Sequence, residues 1–206
     1  MIVEVTGIPC SGKSYYLNYL SVEYNCVVLD KQFINNFLHI SCLPCPVSFI
    51  IREFYHLFTG ITKLNFYTIK FLLKYLFYSK WSFYRKVNVF RNVVKKYSLH
   101  YIVYKNEDID FIVDEGVCHI PFIFATAKQN YTPELLINHY NLDINVIIIK
   151  SETKILFKRI LKRGHSFINS HNHCDLILFI IKNQISSILQ IYLLRKHSIN
   201  YKFFFN

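Results

Sequence analysis

The segment Gly7 to Ser14 constrains this chain more than any other. It reads GIPCSGKS and matches the pattern G-x-x-x-x-G-K-[ST]. A β-branched run, Ile2 to Thr6 (IVEVT), precedes it and reads as a buried strand; a helix is expected to begin near Lys13. In that context the glycines let the backbone turn so that successive N–H groups point inward at phosphate oxygens, and the helix N-terminus adds its partial positive charge. The loop residues Gly7, Ile8, Pro9, Cys10, Ser11, Gly12, Lys13, Ser14 and Tyr15 are the candidates to hold ATP. Lys13 would reach the β- and γ-phosphates, and the Ser14 hydroxyl would coordinate Mg²⁺. Only 5 of 206 residues are glycine, so chance yields the pattern somewhere in the chain on the order of one time in a thousand.

Further short apolar runs mark a sheet. Cys26 to Asp30 (CVVLD), Asp110 to Asp114 (DFIVD), Asn145 to Lys150 (NVIIIK) and Tyr201 to Phe205 (YKFFF) read as strands two to five. Helical patterns fall between them at Tyr15 to Tyr24, Pro133 to Asn138, Glu152 to Arg163 and from Asp175 to Leu194. Strands alternating with helices imply a parallel sheet with right-handed crossovers, helices on both faces and a single domain over residues 1–206. Residues 31–109 are too many for one crossover. Their apolar residues recur at helical spacing in Val47 to Phe58, Lys63 to Tyr78 and Trp81 to Tyr97, so the interval is expected to be an inserted helical subdomain.

The third strand ends FIVDEG, delivering Asp114 and Glu115 to the carboxyl edge where parallel sheets form their crevices. Asp114 there would hold Mg²⁺ and Glu115 would polarise an attacking group; the alternative is a pair of solvated turn acids. Asp30 at the end of strand two is a general-base candidate or a helix N-cap. Arg159 and Arg163, four apart on the helix after strand four, share a face and would stabilise charge on a transferred phosphoryl group; otherwise they belong to a solvated basic face. Gly164 and His165 follow as a hinge.

This order of motifs resembles the small-molecule and nucleoside or nucleotide kinases of the P-loop superfamily. The resemblance implies a three-layer α/β sandwich with strand order 2-3-1-4-5. It implies an acceptor bound under the helical insert and a lid, carrying Arg159 and Arg163, over ATP. It also implies Lys13 on the phosphates, Ser14 and Asp114 on Mg²⁺, and Asp30 at the strand-two carboxylate position. Deoxynucleoside kinases carry Glu-Arg-Ser at the end of strand three and thymidylate kinases Asp-Arg, where this chain has Asp114, Glu115 and Gly116. The Asp-x-x-Gly and Asn-Lys-x-Asp segments of GTPases are absent, as is the Leu-Ser-Gly-Gly-Gln of ABC-type ATPases. The expected activity is Mg²⁺-ATP-dependent phosphoryl transfer to a nucleoside, nucleotide, sugar or similar small acceptor. The alternative is an ATPase or ATP-binding switch that docks on a membrane or partner.

The net charge of +11 suits a phosphorylated ligand, an anionic membrane or nucleic acid. The scatter of the lysines equally suits compositional bias toward Phe, Tyr, Ile, Asn and Lys. The stretch Asn65 to Arg85 interleaves aromatics with Lys70, Lys74, Lys80 and Arg85. It fits either a bilayer-surface helix or an insert helix burying an apolar stripe. Six cysteines lie mostly in apolar runs and Met1 leads straight into a strand with no positive n-region, so the chain is expected in the cytoplasm with reduced thiols. Cys42 and Cys45 have zinc-knuckle spacing and His171, His173 and Cys174 cluster, but a structural zinc needs four converging ligands. A packed cysteine pair and a polar lid loop are the plainer expectation. Lys182, Asn183 and Gln184 interrupt the apolar run from Asp175 to Leu194, which reads as a buried amphipathic helix.

Overall fold

The computed structural model of the chain describes residues 1–64, 66–79, 81–124, 144–163 and 173–205. Five strands form one parallel sheet in the order β2-β3-β1-β4-β5. They are β1 (Ile2–Gly7), β2 (Val27–Val28), β3 (Phe111–Asp114), β4 (Ile144–Lys150) and β5 (Tyr201–Phe205). The helices are α1 (Lys13–Glu23), α2 (Lys31–Phe37), α3 (Cys45–Lys63), α4 (Phe66–Tyr78), α5 (Phe83–Lys105), α6 (Ile120–Phe124), α7 (Thr153–Arg163) and α8 (His173–Lys196), with a 3₁₀ turn over Val117–His119. This is the α/β P-loop architecture. The helix expected over Pro133 to Asn138 lies outside the described residues, as do Gly164, His165 and His171.

Period-two alternation sends successive β-residues to opposite faces, and β1 is buried on both. Val3 and Val5 join Ile112, Ile147 and Ile149 against Leu20 of α1. On the other face Ile2, Phe111, Val113, Val146 and Ile148 share a core with Val93, Val94, Tyr97 and Ile102 of α5. The helices between β2 and β3 are thus layered on the sheet through α5. Strand β2 is shorter than the expected five residues because the chain turns out of the sheet at Asp30, whose Oδ1 accepts a hydrogen bond from Phe33 N at 2.8 Å and caps α2.

Two helices bury polar residues and present apolar ones to solvent. In α3 the buried positions are Ser48, Arg52, His56, Thr59 and Gly60, while Ile50, Phe54, Phe58 and Ile61 are exposed. Gly60 lets α3 press on α5: a Cβ there would lie 2.2 Å from the Val94 carbonyl oxygen. In α8 the stripe Asn183, Ser186, Ser187 and Gln190 is buried, while Ile181, Ile185, Ile188 and Tyr192 are exposed. The buried face expected of this helix is present, with Leu176, Phe179, Ile180, Leu193 and Leu194 sunk in the core, but its middle is polar. Gln190 Nε2 donates to Thr6 Oγ1 at 3.1 Å and to the Cys118 carbonyl at 2.6 Å, so the polar face satisfies groups beneath the sheet edge. Among the described residues α8 is the one helix long and apolar enough to cross a membrane. In α4, Leu72 is buried but Phe66, Leu73 and Phe77 are exposed, so its apolar stripe is covered only in part. Cys42 and Cys45 are exposed rather than packed, and all six cysteines are free.

Candidate active site

Register brings the site together. Parallel pairing sets Val5 opposite Asp114, and Glu115 N donates to the Val5 carbonyl at 2.9 Å, so the acidic tip of β3 abuts the loop that leaves β1. In that loop Gly7 (φ 149°) and Gly12 (φ 98°) adopt the backbone that glycine tolerates best, and Cys10 (φ 66°) is held there without that freedom. A Cβ on Gly7 would stand 2.4 Å from the Ile149 carbonyl oxygen of β4. Ser11 N closes the turn on the Ile8 carbonyl at 3.1 Å, and Gly12 caps α1, putting Lys13 and Ser14 in its first turn.

Lys13 is buried, and its Nζ donates to the Gly7 and Ile8 carbonyls at 3.1 Å each. The same amine sits 3.1 Å from Glu115 Oε1. It thus spans the loop and the strand-three tip. Ser14 and Tyr15 are exposed at the start of α1. Arg159 of α7 reaches across to the loop apex, where Nη1 donates to the Cys10 carbonyl at 3.4 Å. Arg163 ends α7; its side chain lies outside the described residues. Asp30 is engaged as the cap of α2 and lies outside the lining of the cavity described next, so its N-cap alternative is the one realised.

A cavity of about 350 Å³ opens beside Asp114 and Glu115. Pro9 of the loop, His119, Phe122 and Ile123 form part of its wall, with Phe179 and Asn183 from α8. The rest comes from Arg85, Asn88, Val89, Asn92, Lys95, Lys96 and Leu99 of α5, positions that recur at helical spacing and share one face.

The electrostatics differ between the two acids. Burial, with Glu115 next in order, pushes the Asp114 carboxyl up to about 6; Lys13 and Lys96 only partly oppose this. Burial also pushes Glu115 upward, but His119, Lys13 and Lys96 outweigh it and bring its pKa down to about 2. Burial holds the His119 imidazole well below its ordinary value, so the two lysines are the charges that keep Glu115 ionised. Lys96 Nζ donates to the Glu115 carbonyl oxygen, and burial lowers its pKa. Glu115 adopts φ 55°, a strained conformation that turns its side chain over the loop lysine.

The sequence reading missed Lys96, His119 and Glu4. Glu4 is fully buried on β1, 3.7 Å from His100 Nε2, and a Cβ on Gly116 would come within 2.5 Å of its Oε2. The signal for Lys96 was the polar period of Arg85, Asn88, Asn92, Lys95 and Lys96 within α5; nothing in the sequence marked His119.

No family model and no curated protein matches the chain by sequence. Among solved structures, a deoxyadenosine kinase from M. mycoides with bound dATP superposes with a TM-score of 0.50 at 13% identity, covering 99% of this chain and 90% of that one. The chain shares the fold of that structure. A second structure of deoxyadenosine kinase from M. mycoides, with dCMP and dCDP bound as products, matches at a TM-score of 0.46 and 14% identity over 100% of this chain and 90% of that one.

Proposed function

We propose that the protein transfers the γ-phosphoryl group of ATP to a hydroxyl of a small molecule bound in the cavity beside Asp114 and Glu115. The observation that carries this reading is the position of Lys13, whose amine lies between the loop carbonyls and Glu115, a residue that lines that cavity. A triphosphate tail drawn to the loop amides would take that amine as its counter-ion.

The acceptor oxygen attacks the γ-phosphorus as the bond from phosphorus to the β,γ-bridging oxygen breaks. ADP leaves with that electron pair, and the acceptor proton passes to a carboxylate. When Lys13 moves to the phosphates it abandons Glu115, which then loses one of the cations that hold its pKa near 2 and becomes a better proton acceptor. ATP binding thereby readies the base. Arg159, already at the loop apex, would neutralise charge developing on the transferred group, with Arg163 one turn further along α7.

Asp114 and Ser14 suit Mg²⁺, a hard cation that takes oxygen ligands. Burial raises the pKa of Asp114 first and Glu115 beside it raises it further, negative charge that a bound cation would offset. A Mg²⁺ held by Asp114 and Ser14 would supply positive charge to offset that of the phosphates. The resemblance in fold to a deoxyadenosine kinase supports a nucleoside-type acceptor in general. The test is ADP release with Mg²⁺-ATP and a panel of nucleosides, nucleotides and sugars: an acceptor should raise the rate at least a hundredfold over water, and Lys13→Ala should abolish the increase. Equal ADP release with and without every acceptor would reject the reading in favour of an ATPase.

A further inference from the structure

The cavity is walled on one side by a cationic stripe. Helix α5 contains no acidic residue, and the side it turns to the cavity carries Arg85, Asn88, Asn92, Lys95 and Lys96. Lys96 is engaged by Glu115. Lys95 is different. It is half-buried, and among the described residues it makes no hydrogen bond or close ion pair.

Behind Lys95 the surplus of positive charge grows. Lys31, Arg52 and Arg91 all act on it, with Glu53 as the opposing carboxylate. Glu53 is itself engaged by Arg91, Nε to Oε2 at 3.7 Å. Arg52 is 6% exposed; its Nη1 donates to Asn35 Oδ1 at 2.9 Å while its Nε has no hydrogen-bond partner. Lys95 is half-buried and Arg52 buried, while Lys31 and Arg91 flank them at the surface; the inner pair of cations is unfavourable without an anion, since burying unpaired charge is costly. Burial together with Lys95 and Arg52 drives His56, beside them, down to about 3, which keeps a further positive charge out of the cluster. The acids at the tip of β3 face Lys13 and Lys96, and neither acid is among the groups that act on Lys95.

We propose that the acceptor is itself a phosphorylated small molecule, a phosphomonoester such as a nucleoside monophosphate, whose phosphate is gripped by Lys95 at the α5 wall while its free oxygen faces Asp114 and Glu115. This rests on the phosphotransferase reading and narrows it. Asn88 and Asn92, one turn apart on the same wall, offer amide donors and acceptors to the uncharged body of the ligand, and Phe122, stacked on His119 at 4.9 Å, offers an aromatic face. Arg85, lying over the Trp81 ring at 4.6 Å, stands at the rim on the same stripe.

The test is calorimetric binding of matched pairs that differ only in the phosphate: adenosine and AMP, deoxyadenosine and dAMP, thymidine and dTMP, ribose and ribose 5-phosphate. A saturating non-hydrolysable ATP analogue fills the phosphate loop, and Lys13→Ala repeats the series with the loop disabled. At least one phosphorylated member should bind tenfold or more tightly than its partner, with an affinity that falls as salt rises. Lys95→Gln should erase the difference and Lys95→Arg should keep it, each variant being checked for a native circular dichroism spectrum and melting. Equal affinities within every pair, no detectable binding of any phosphorylated member, or a preference that survives Lys95→Gln would overturn the proposal. Binding of the ATP analogue and ADP release, read on the same preparations, judge the kinase reading separately. A protein that phosphorylates nucleosides but shows no pair preference keeps that reading and loses this one.

Discussion

Replacing Asp114 with asparagine should stabilise the folded protein at neutral pH while disabling it. The carboxyl rises from 3.8 to about 6 on folding, chiefly through burial and then through Glu115. A carboxyl whose folded pKa exceeds its unfolded value holds its proton longer in the native state, so stability falls as pH climbs from about 4 to about 6 and stays lower above that. At ~1.4 kcal/mol per tenfold change in proton affinity the full difference is roughly 3 kcal/mol. Water reaching the exposed side chain screens most of it, leaving on the order of 1 kcal/mol. The asparagine amide carries no charge at any pH, so Asp114→Asn should melt about 2–4 °C higher than the parent at pH 7. At pH 4, where the native parent is protonated as well, the two should melt together. The assay is thermal unfolding by circular dichroism at both pH values, with and without Mg²⁺-ATP. The parent should gain from Mg²⁺-ATP, by about 2.7 kcal/mol at a hundredfold excess over Kd, and the variant much less. A variant that melts below the parent at pH 7 would refute the electrostatic account of the site.

Three further outcomes follow from the same geometry. Lys13→Ala should lower the phosphoryl-transfer rate by at least a hundredfold in a coupled ADP assay and raise the pKa of Glu115, visible by carboxyl-carbon NMR as a titration moving up from about 2. Arg159→Ala should lower kcat by ten- to a hundredfold with little change in melting, and Arg159→Lys should restore little of it, because a compact ammonium does not reproduce the planar guanidinium at the loop apex. Gly60→Ala should cost about 2–4 kcal/mol in urea unfolding, because its Cβ would lie 2.2 Å from a backbone carbonyl of α5 that cannot yield without parting the helices.

The sheet was legible because its strands are largely apolar runs between breaks, as the inner strands β1, β3 and β4, buried on both faces, must be; β5 has the expected bounds, and β4 and β3 differ from them by one residue. The loop after β1 was legible because its backbone demands glycine in a chain that has few. The buried polar groups behind the site were not. Glu4 sits in a run read only for its β-branched neighbours, and its partners His100, Lys96 and Gly116 lie far off in sequence. Their meeting is a product of strand register, which no local pattern carries.

The helices α3 and α8 went astray for a different reason. Hydrophobic periodicity assigns the apolar stripe to the core on the assumption that the interior asks only for apolar surface. Here the interior also contains Thr6, the Cys118 carbonyl and Ser98, each a polar group out of water that needs a partner. Gln190 serves the first two and His56 the third, with Nδ1 2.9 Å from Ser98 Oγ. A helix that supplies a buried hydrogen bond must turn that side inward, and the 3.6-residue period then carries Ile50, Phe54 and Phe58 of α3 and Ile181, Ile185 and Ile188 of α8 outward. The polar interior is thus the consequence of placing Thr6 at the end of β1 and a cationic wall along α5, both of which belong to the site. A quadruple replacement of Asn183, Ser186, Ser187 and Gln190 by leucine would make α8 amphipathic in the conventional sense, yet it should destabilise the protein. It leaves the Cys118 carbonyl without Gln190, at about 1–3 kcal/mol for a buried group left unsatisfied, while Thr6 keeps only His119 Nδ1 at 3.1 Å, and it forces larger side chains into filled space. A melting temperature equal to or above the parent's would show that hydrophobic pattern, and not the hydrogen bonds beneath β1, decides which way α8 faces.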